Sequence, residues 1–236
     1  MKRFLLTSLL AAALLVPAVW AQEGEEGGSS PATGAYEAKQ EAKEVVKPHA
    51  SFGFFGGAHI MASEEWEEVY GNTPVFYFGF SLGLKLIADL EMWGEVGYSV
   101  DEGKGVTQTG AGTAERYRIH VVPGSAGLLY RFKFFEEQLV VPFVGGAVNY
   151  YYFYEGRLES SEKVDGGKWG YSGEAGLQLL LDQADRRASN AMKSEYGIDN
   201  TYLFYEFRYT VVDDWGEEEG LDLSSQMHML GLLFEF

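Results

Sequence analysis

Apolar and polar residues alternate over unusually long segments of this chain. The clearest is VFYFGFSLGLKLIA at 75–88, whose even positions are large and apolar: Phe76, Phe78, Phe80, Leu82, Leu84 and Leu86. The odd positions carry mainly tyrosine, glycine, serine and Lys85. Strict alternation predicts a β-strand with one apolar face. Globular strands usually have about five or six residues, whereas a strand that crosses a bilayer needs about 9–11, and this segment fits the longer class.

Seven further segments are similar in kind, so that the pattern predicts an all-β chain of eight strands. The predicted strands are 50–62, 75–88, 90–100, 115–133, 138–154, 169–181, 201–212 and 225–236. In most of them a large apolar face lies opposite a face of glycine, serine and charged residues. Neither face of 138–154 is cleanly apolar, and its orientation stays open.

The fourth predicted strand contains a proline, which cannot donate a hydrogen bond to a sheet ladder. We therefore expect a bulge at 123–124. Before the bulge, Tyr117, Ile119 and Val121 would lie on the outer apolar face. After the bulge, Arg131 would point inward.

The links between the strands alternate in length. Long polar links follow the odd strands, at 63–74, 101–114, 155–168 and 213–224, whereas 88–89 and 134–137 are short. This asymmetry is typical of membrane-spanning β-barrels, which have short turns on one side and longer loops on the other. The sixth link, 182–200, is long for a turn and predicts a helix that ends near Gly197. That helix would lie against the barrel mouth or form a docking site for a partner.

The first residues have the three parts of a secretory signal peptide. Lys2 and Arg3 precede an apolar run over 4–16, and small residues at Ala18 and Ala21 suit cleavage after position 21. Residues 22–48 are acidic and contain glycine and serine, which predicts a flexible tether ahead of a barrel at 49–236. After the signal peptide there is no apolar run long enough for a membrane-spanning helix.

Charge and cysteine content exclude several classes of function. The formal charge is −17, and loss of 1–21 would remove two cations and no acids, giving −19. Such an acidic chain is a poor nucleic-acid binder, because it has few cations to replace phosphate counterions. The chain has no cysteine, so it has neither disulfides nor the residue that attaches bacterial lipoproteins to lipid.

The carboxyl-terminal sequence MHMLGLLFEF carries the most specific resemblance. Together with the eight long strands and unequal loops, it resembles the small eight-stranded outer-membrane β-barrels of Gram-negative bacteria, the OmpA-like and OmpW-like group, over 49–236. Gly231, Phe234 and Phe236 match the family's carboxyl-terminal assembly signal, although Met229 occupies a position that is usually polar. The resemblance implies an outer-membrane location, periplasmic termini and recognition by the barrel-assembly machinery. The helix at 182–200 would then also be periplasmic.

The inside of an eight-stranded barrel is just wide enough for side chains to fill it. The predicted inward charges are Lys85, Glu95, Arg131, Glu174, Glu206, Arg208 and Glu235. Because isolated buried charges are costly, we expect these side chains to form a paired network that plugs the lumen. The resulting hypothesis is a structural or surface-interacting protein. The alternative is a gated or narrow channel, which the OmpW-like resemblance would allow to carry small apolar solutes.

No residues in the sequence predict catalysis, a cofactor or a metal site. His49 and Ser51 have the spacing used by outer-membrane lipid A deacylases, but they lie at the periplasmic end, away from the outer leaflet. A soluble lipocalin-like binder would need its large apolar residues inside. Acidic loop residues could bind Ca²⁺ or Mg²⁺ and so bridge to lipopolysaccharide, or could simply be solvated: Glu64, Glu65, Glu67, Glu68, Asp213, Asp214, Glu217, Glu218, Glu219 and Asp222. Candidates for interfacial aromatic girdles are Trp66, Trp93, Trp169, Trp215 and the tyrosines at 150–152.

Overall fold

Eight antiparallel strands, each paired with its neighbours in the chain, form a closed barrel. The computed structural model describes residues 49–71, 73–87, 89–106, 112–135, 137–157, 163–216 and 221–236. The strands are β1 (Ala50–Met61), β2 (Val75–Ile87), β3 (Leu90–Val106), β4 (Gly112–Arg131), β5 (Val140–Arg157), β6 (Lys163–Leu180), β7 (Asn200–Val211) and β8 (Ser225–Glu235). The predicted signal peptide and tether lie outside the described residues.

The last strand closes the barrel on the first. Ser51 pairs with Glu235, and the antiparallel register continues to Met61 opposite Ser225. At the end of the chain, Phe236 N donates to the carbonyl oxygen of Ala50 over 2.9 Å. Closure gives each strand a neighbour on both sides through the body of the barrel, as a membrane-spanning sheet requires.

The two ends of the barrel differ. The turn end holds His49, Phe236 and the links β2–β3, β4–β5 and β6–β7, whereas the loop end holds the other links. Helix α1 (Glu64–Tyr70) lies in the β1–β2 link, and helix α2 (Arg186–Tyr196) lies in the β6–β7 link. Asp185 caps α2 through the N–H groups of Arg187 and Ala188, and Gly197 ends it with φ 71°. Within the described residues, no helix has the length and apolar character needed to cross a membrane.

The outer face of the barrel is apolar, as the sequence predicted. Phe76 is 67% exposed, and Phe78 and Phe80 are each 49% exposed, whereas Tyr77 between them is fully buried. A soluble lipocalin-like protein would show the reverse arrangement. The structure therefore confirms an eight-stranded, up-and-down transmembrane β-barrel whose apolar stripe faces lipid.

Strand β5, whose facing was open, has its odd residues inside. Val141, Phe143 and Tyr151 are buried in the barrel, whereas Val144 and Val148 are exposed on the outer wall. Both faces are apolar because the outer one meets lipid and the inner one joins a packed aromatic interior.

The prediction for β4 was wrong in one respect. Its register with β5 runs without a shift from Tyr117 to Arg131, so there is no bulge at 123–124. Ile119 and Val121 are therefore buried in the interior, on the same face as Arg131. In the β3–β4 ladder, Val96 pairs with Gly124 and Ser99 pairs with Val121, and there is no pair in between. Pro123 lies in this gap, so the ladder does not require the N–H that proline lacks.

Two predicted loops at the loop end are largely strand. Strand β3 continues to Val106 and β4 begins at Gly112, while β5 continues to Arg157 and β6 begins at Lys163. These extensions rise beyond the apolar belt, where water lies outside the barrel. Their described outward residues are charged residues and glycines, so the apolar alternation that marks the membrane segments is missing.

Candidate functional site

A cluster of charges fills the lumen near the turn end. Glu235, fully buried on β8, forms ion pairs with Lys85 Nζ at 2.8 Å, with Lys133 Nζ at 3.4 Å and with Arg131. Asn200 Nδ2 donates to the second oxygen of Glu235 over 2.8 Å. We call this set, together with Glu91, the turn-end cluster.

Glu91 extends the turn-end cluster toward β1. Its carboxylate pairs with Arg131 on one side and accepts a hydrogen bond from the Ser51 hydroxyl on the other. Ser51 is therefore buried in the lumen and engaged with a carboxylate. His49 is exposed, and it precedes the first residue of β1.

A second set, which we call the central cluster, surrounds Arg208. Its guanidinium pairs with Glu206 at 2.6 Å, with Glu174 at 3.1 Å and with Glu95, whose Oε2 accepts from Nη2 over 2.9 Å. The guanidinium carbon also lies 4.9 Å from the centre of the Trp93 ring, a cation–π distance. Arg208 is 1% exposed.

Neither cluster is neutral by itself. The central cluster has three carboxylates and one cation, a formal charge of −2. The turn-end cluster has two carboxylates, Glu91 and Glu235, and three cations, Lys85, Arg131 and Lys133, a formal charge of +1.

A cavity of about 40 Å³ lies between the two clusters. Glu91, Arg131, Glu174 and Arg208 line it with the flanking aromatic side chains. This volume has room for one to three water molecules, because a water needs about 10–15 Å³ of such space. It is too small for an organic solute.

Packed aromatic and sulfur-containing side chains fill the lumen above the central cluster. The ring of Tyr77 lies 5.6 Å from Phe55 and 5.7 Å from His59. The His59 ring in turn lies 6.2 Å from Tyr151, and Met227 is buried beside them. Tyr77 also donates to Glu95 over 3.3 Å, which ties this layer to the central cluster.

Helix α1 covers the loop end of the lumen. Trp66 is buried and packs against Tyr70 at 4.5 Å between ring centres. Ser63 caps the helix by accepting from Trp66 N at 3.0 Å. Tyr70 donates to Glu155 over 2.8 Å, and burial together with this carboxylate raises the pKa of the Tyr70 phenol, which therefore stays a donor.

The aromatic girdle is smaller than the sequence predicted. Trp66 is a buried residue of α1 and Trp93 lies in the lumen, so neither reaches lipid. Trp169 and Trp215 are exposed on the outer side, in agreement with the girdle. Of the three neighbouring tyrosines, only Tyr151 is inside, because side chains alternate along a strand.

The acidic loops show no metal site among the residues that the structure describes. Glu217, Glu218 and Glu219 lie outside that part of the chain, as do the side chains of Glu64 and Glu65. Asp214 is engaged locally: it accepts from Trp169 N over 2.8 Å and pairs with Lys168 at 3.0 Å. These contacts, the backbone hydrogen bond first, lower the pKa of the Asp214 carboxyl.

The structure brings the predicted lumen charges into two groups. Lys85, Arg131 and Glu235 belong to the turn-end cluster, and the central cluster contains the other four predicted charges: Glu95, Glu174, Glu206 and Arg208. Sequence reasoning did not include Glu91 and Lys133. The parity of strand three would have found Glu91, whereas Lys133 lies beyond the end of β4, where alternation carries no signal.

The residues of the predicted assembly signal all lie at the closing seam. Gly231 faces the lumen, where a Cβ would lie 2.7 Å from the Phe204 ring. Phe234 faces outward, with its ring 6.1 Å from that of Phe54, and Phe236 ends the chain beside Ala50. This geometry shows a packing role for Gly231. Recognition of the signal by the assembly machinery stays a prediction.

The fold is that of the small eight-stranded outer-membrane β-barrels. Neisserial surface protein A is 14% identical, with a TM-score of 0.50, and the match covers 79% of this chain and 97% of that one. The N-terminal β-barrel domain of Pseudomonas aeruginosa OprF is 16% identical, with a TM-score of 0.47, and the match covers 80% of this chain and 98% of that one. Escherichia coli outer membrane protein W is 13% identical, with a TM-score of 0.44, and the match covers 81% of this chain and 100% of that one. At identities this low, such likeness shows the fold alone.

The other comparisons add no relative. No protein-family model matches the sequence. No curated protein matches it either. Function must therefore be inferred from the lumen, the outer wall and the ends of the barrel.

Proposed function

We propose that this protein is a closed, non-enzymatic barrel of the bacterial outer membrane, with a structural or surface-interacting role. The apolar outer wall, the even number of strands and the short links at one end support an orientation with both termini in the periplasm. In this orientation α1 and the long hairpins β3–β4 and β5–β6 meet the cell exterior.

The observation that carries the proposal is the filled lumen. From the turn end outward, the interior holds the turn-end cluster, the central cluster around Arg208, the aromatic layer at Tyr77 and Tyr151, and the buried Trp66 of α1. Opening a path would require breaking buried ion pairs, and loss of one partner from such a pair costs about 3–5 kcal/mol. This packing favours a closed barrel over a steady aqueous pore.

The proposal includes three kinds of partner. Outer-membrane lipids, including lipopolysaccharide, would surround the apolar wall. The barrel-assembly machinery would read Gly231, Phe234 and Phe236. The exposed helix α2, none of whose side chains is buried, would be available to a periplasmic protein.

Planar-bilayer recording on the refolded protein tests the closed lumen. We expect no steady conductance from wild type. The comparison variant, Tyr77→Ala, Tyr151→Ala, removes two rings of the aromatic layer and leaves both charge clusters in place, so it should also show no steady conductance. Steady wild-type conductance that a small apolar solute blocks would contradict the proposal and favour the channel alternative.

The non-enzymatic part has a separate test. Ser51 is engaged with Glu91 inside the barrel, which leaves it without access to an acyl chain. We expect lipid A incubated with the refolded protein to keep all its acyl chains by mass spectrometry. Release of fatty acid that a Ser51→Ala variant abolishes would overturn this part alone.

A further inference from the structure

Four cations lie close together on the outer wall of this acidic protein. Lys104, Arg116, Arg118 and Lys163 are exposed at the loop end of β3, β4 and β6. Their parity places them on the lipid-facing side of the strands, with His120, rather than in the lumen with Ile119. The outward positions of β1, β2, β7 and β8, all within the described residues, contain no Asp, Glu, Lys or Arg.

Acidic neighbours do not cancel this charge. Among the described outward residues of the same region, the acids are Glu102 and Asp165, so four cations face two carboxylates. Glu102 accepts from Arg116 over 2.7 Å and from Arg118 Nε over 2.9 Å. One carboxylate thus orients two guanidinium groups and leaves the patch positive. We call the four cations the basic patch.

The depth of the basic patch follows from the strand geometry. Tyr130 and His120 both face outward on β4, ten residues apart. At about 3.3 Å per residue and a tilt of about 40°, this spacing spans about 25 Å along the membrane normal. That is the height of the apolar band of an outer-membrane barrel. Arg118 lies two residues further out, about 5 Å beyond the band, at the depth of lipid headgroups.

An aromatic platform lies directly below the basic patch. His120 stacks on Tyr154 with ring centres 4.3 Å apart, and its Nδ1 is hydrogen-bonded to the Tyr98 hydroxyl. Such amphipathic rings are typical of the membrane interface. Their presence at His120 is what a boundary between acyl chains and headgroups at this depth predicts.

A gap between two of the cations provides space for an anion. On the ladder, Gly156 of β5 pairs with Arg118 on one side and with Lys163 on the other. Because Gly156 has no side chain, the two cations flank an open strip. Their backbones are about 10 Å apart, twice the spacing of neighbouring strands. Side chains of this length can close on a phosphate from both sides. Glu102 accepts from Nε and Nη2 of Arg118, so the phosphate would meet the Nη1 side of the guanidinium.

We propose that the basic patch binds the phosphate groups of lipid A in the outer leaflet, with Arg118 and Lys163 as the principal contacts and Arg116 and Lys104 as flanking charges. This inference rests on the orientation in the proposed function, which puts the loop end in that leaflet. In this proposal the protein contacts the lipid A phosphates directly, whereas divalent cations bound to acidic loops would bridge to them indirectly. The side of the barrel that binds lipid A would be the one formed by β3–β6.

The test is a binding titration of the refolded protein in detergent with lipid A that carries both phosphates, read by native mass spectrometry and repeated in EDTA. The test variant is Arg118→Gln, Lys163→Gln. The matched control, Arg186→Gln, Lys193→Gln, removes two exposed cations from α2 at the turn end. Heat-modifiable mobility on a gel verifies that every variant is folded.

We expect saturable binding that survives EDTA and is weakened about tenfold for each patch cation removed, which corresponds to about 1.4 kcal/mol per cation. The α2 control should bind like wild type, and dephosphorylated lipid A should bind weakly. Equal binding by the patch variant, equal weakening by the control, equal binding of dephosphorylated lipid A, or loss of binding in EDTA would each overturn the inference.

The conductance recording keeps the two claims separate. A silent barrel whose patch variant binds lipid A normally overturns the lipid site and leaves the closed barrel intact. A conducting barrel whose patch variant has lost lipid A overturns the closed barrel and supports the lipid site.

Discussion

The ammonium group of Lys85 lies 2.8 Å from Oε1 of Glu235, inside the barrel and across the inner face of β1. Lys85 belongs to β2 and Glu235 to β8, the two strands that pair with β1. The ion pair therefore joins both neighbours of the strand at which the barrel closes. Arg131 and Lys133 add two more cations around the same carboxylate.

This arrangement predicts that Glu235→Gln destabilises the barrel by about 3–5 kcal/mol, because Lys85, Arg131 and Lys133 would stay buried near a neutral amide. The measurement is urea unfolding of the refolded protein in lipid vesicles, followed by tryptophan fluorescence. Glu195→Gln, an exposed carboxylate on α2, is the matched control and should change stability by less than about 0.5 kcal/mol. Equal midpoints for the two variants would mean that Glu235 has no special role.

Arg208 compensates three carboxylates by itself, so its loss should be severe. We expect Arg208→Met to lower the free energy of unfolding by about 3–5 kcal/mol or to prevent refolding. Adding Glu95→Gln, Glu174→Gln and Glu206→Gln in the same chain should restore refolding, because the uncompensated charge is then removed. The fraction of heat-modifiable protein on a gel reports both steps. A quadruple variant no better folded than Arg208→Met would show that packing, and not charge, explains the loss.

Gly231 allows packing to be separated from recognition by the assembly machinery. A Cβ there would meet the Phe204 ring at 2.7 Å and the carbonyl oxygen of Phe54. Gly231→Ala should therefore cost about 1–3 kcal/mol in vesicles that contain no assembly machinery. Gly173→Ala is the control, since its Cβ would meet no atom within 4 Å. If Gly231→Ala refolds and unfolds like wild type, the close approach of Phe204 to Gly231 contributes nothing to stability.

Asp214 predicts a local pH dependence at the loop end. Its pKa is lowered in the folded protein by the Trp169 N–H and Lys168, so the stabilisation is present above the ordinary pKa of about 4 and is lost as pH falls through the lower folded value. At pH 7, Asp214→Asn should speed hydrogen exchange at the Trp169 amide. The loss in protection free energy should be at most about 1 kcal/mol. Near pH 2 the two proteins should exchange alike. A difference that persists unchanged at pH 2 would refute the assignment.

Several features of the site could be predicted from the residues alone. The inward positions of Glu174, Glu206 and Arg208 follow from the period of two along β6 and β7, since both strands have an uninterrupted apolar face opposite them. Parity predicts only which side of the sheet a residue occupies. It does not state which strands across the lumen face each other, so the contact of Arg208 with Glu95 on β3 required the structure.

Ile119 and Trp66 illustrate two other limits. A large apolar residue suits both lipid and a packed interior, so Ile119 could be placed only once the register of β4 was known. Trp66 lies in a link, where no periodicity applies, and its burial depends on α1 folding over the lumen. The basic patch was missed for a related reason: Arg118 and Lys163 are distant in sequence and become neighbours only through Gly156.

The sequence by itself determined the strands, their number and the medium they face, because apolar alternation and segment length are local consequences of burial in lipid. Only the tertiary structure decided how the lumen is closed and where the cations of the outer wall meet. Both depend on register and on barrel closure, which bring distant residues together and leave no periodic trace in the chain.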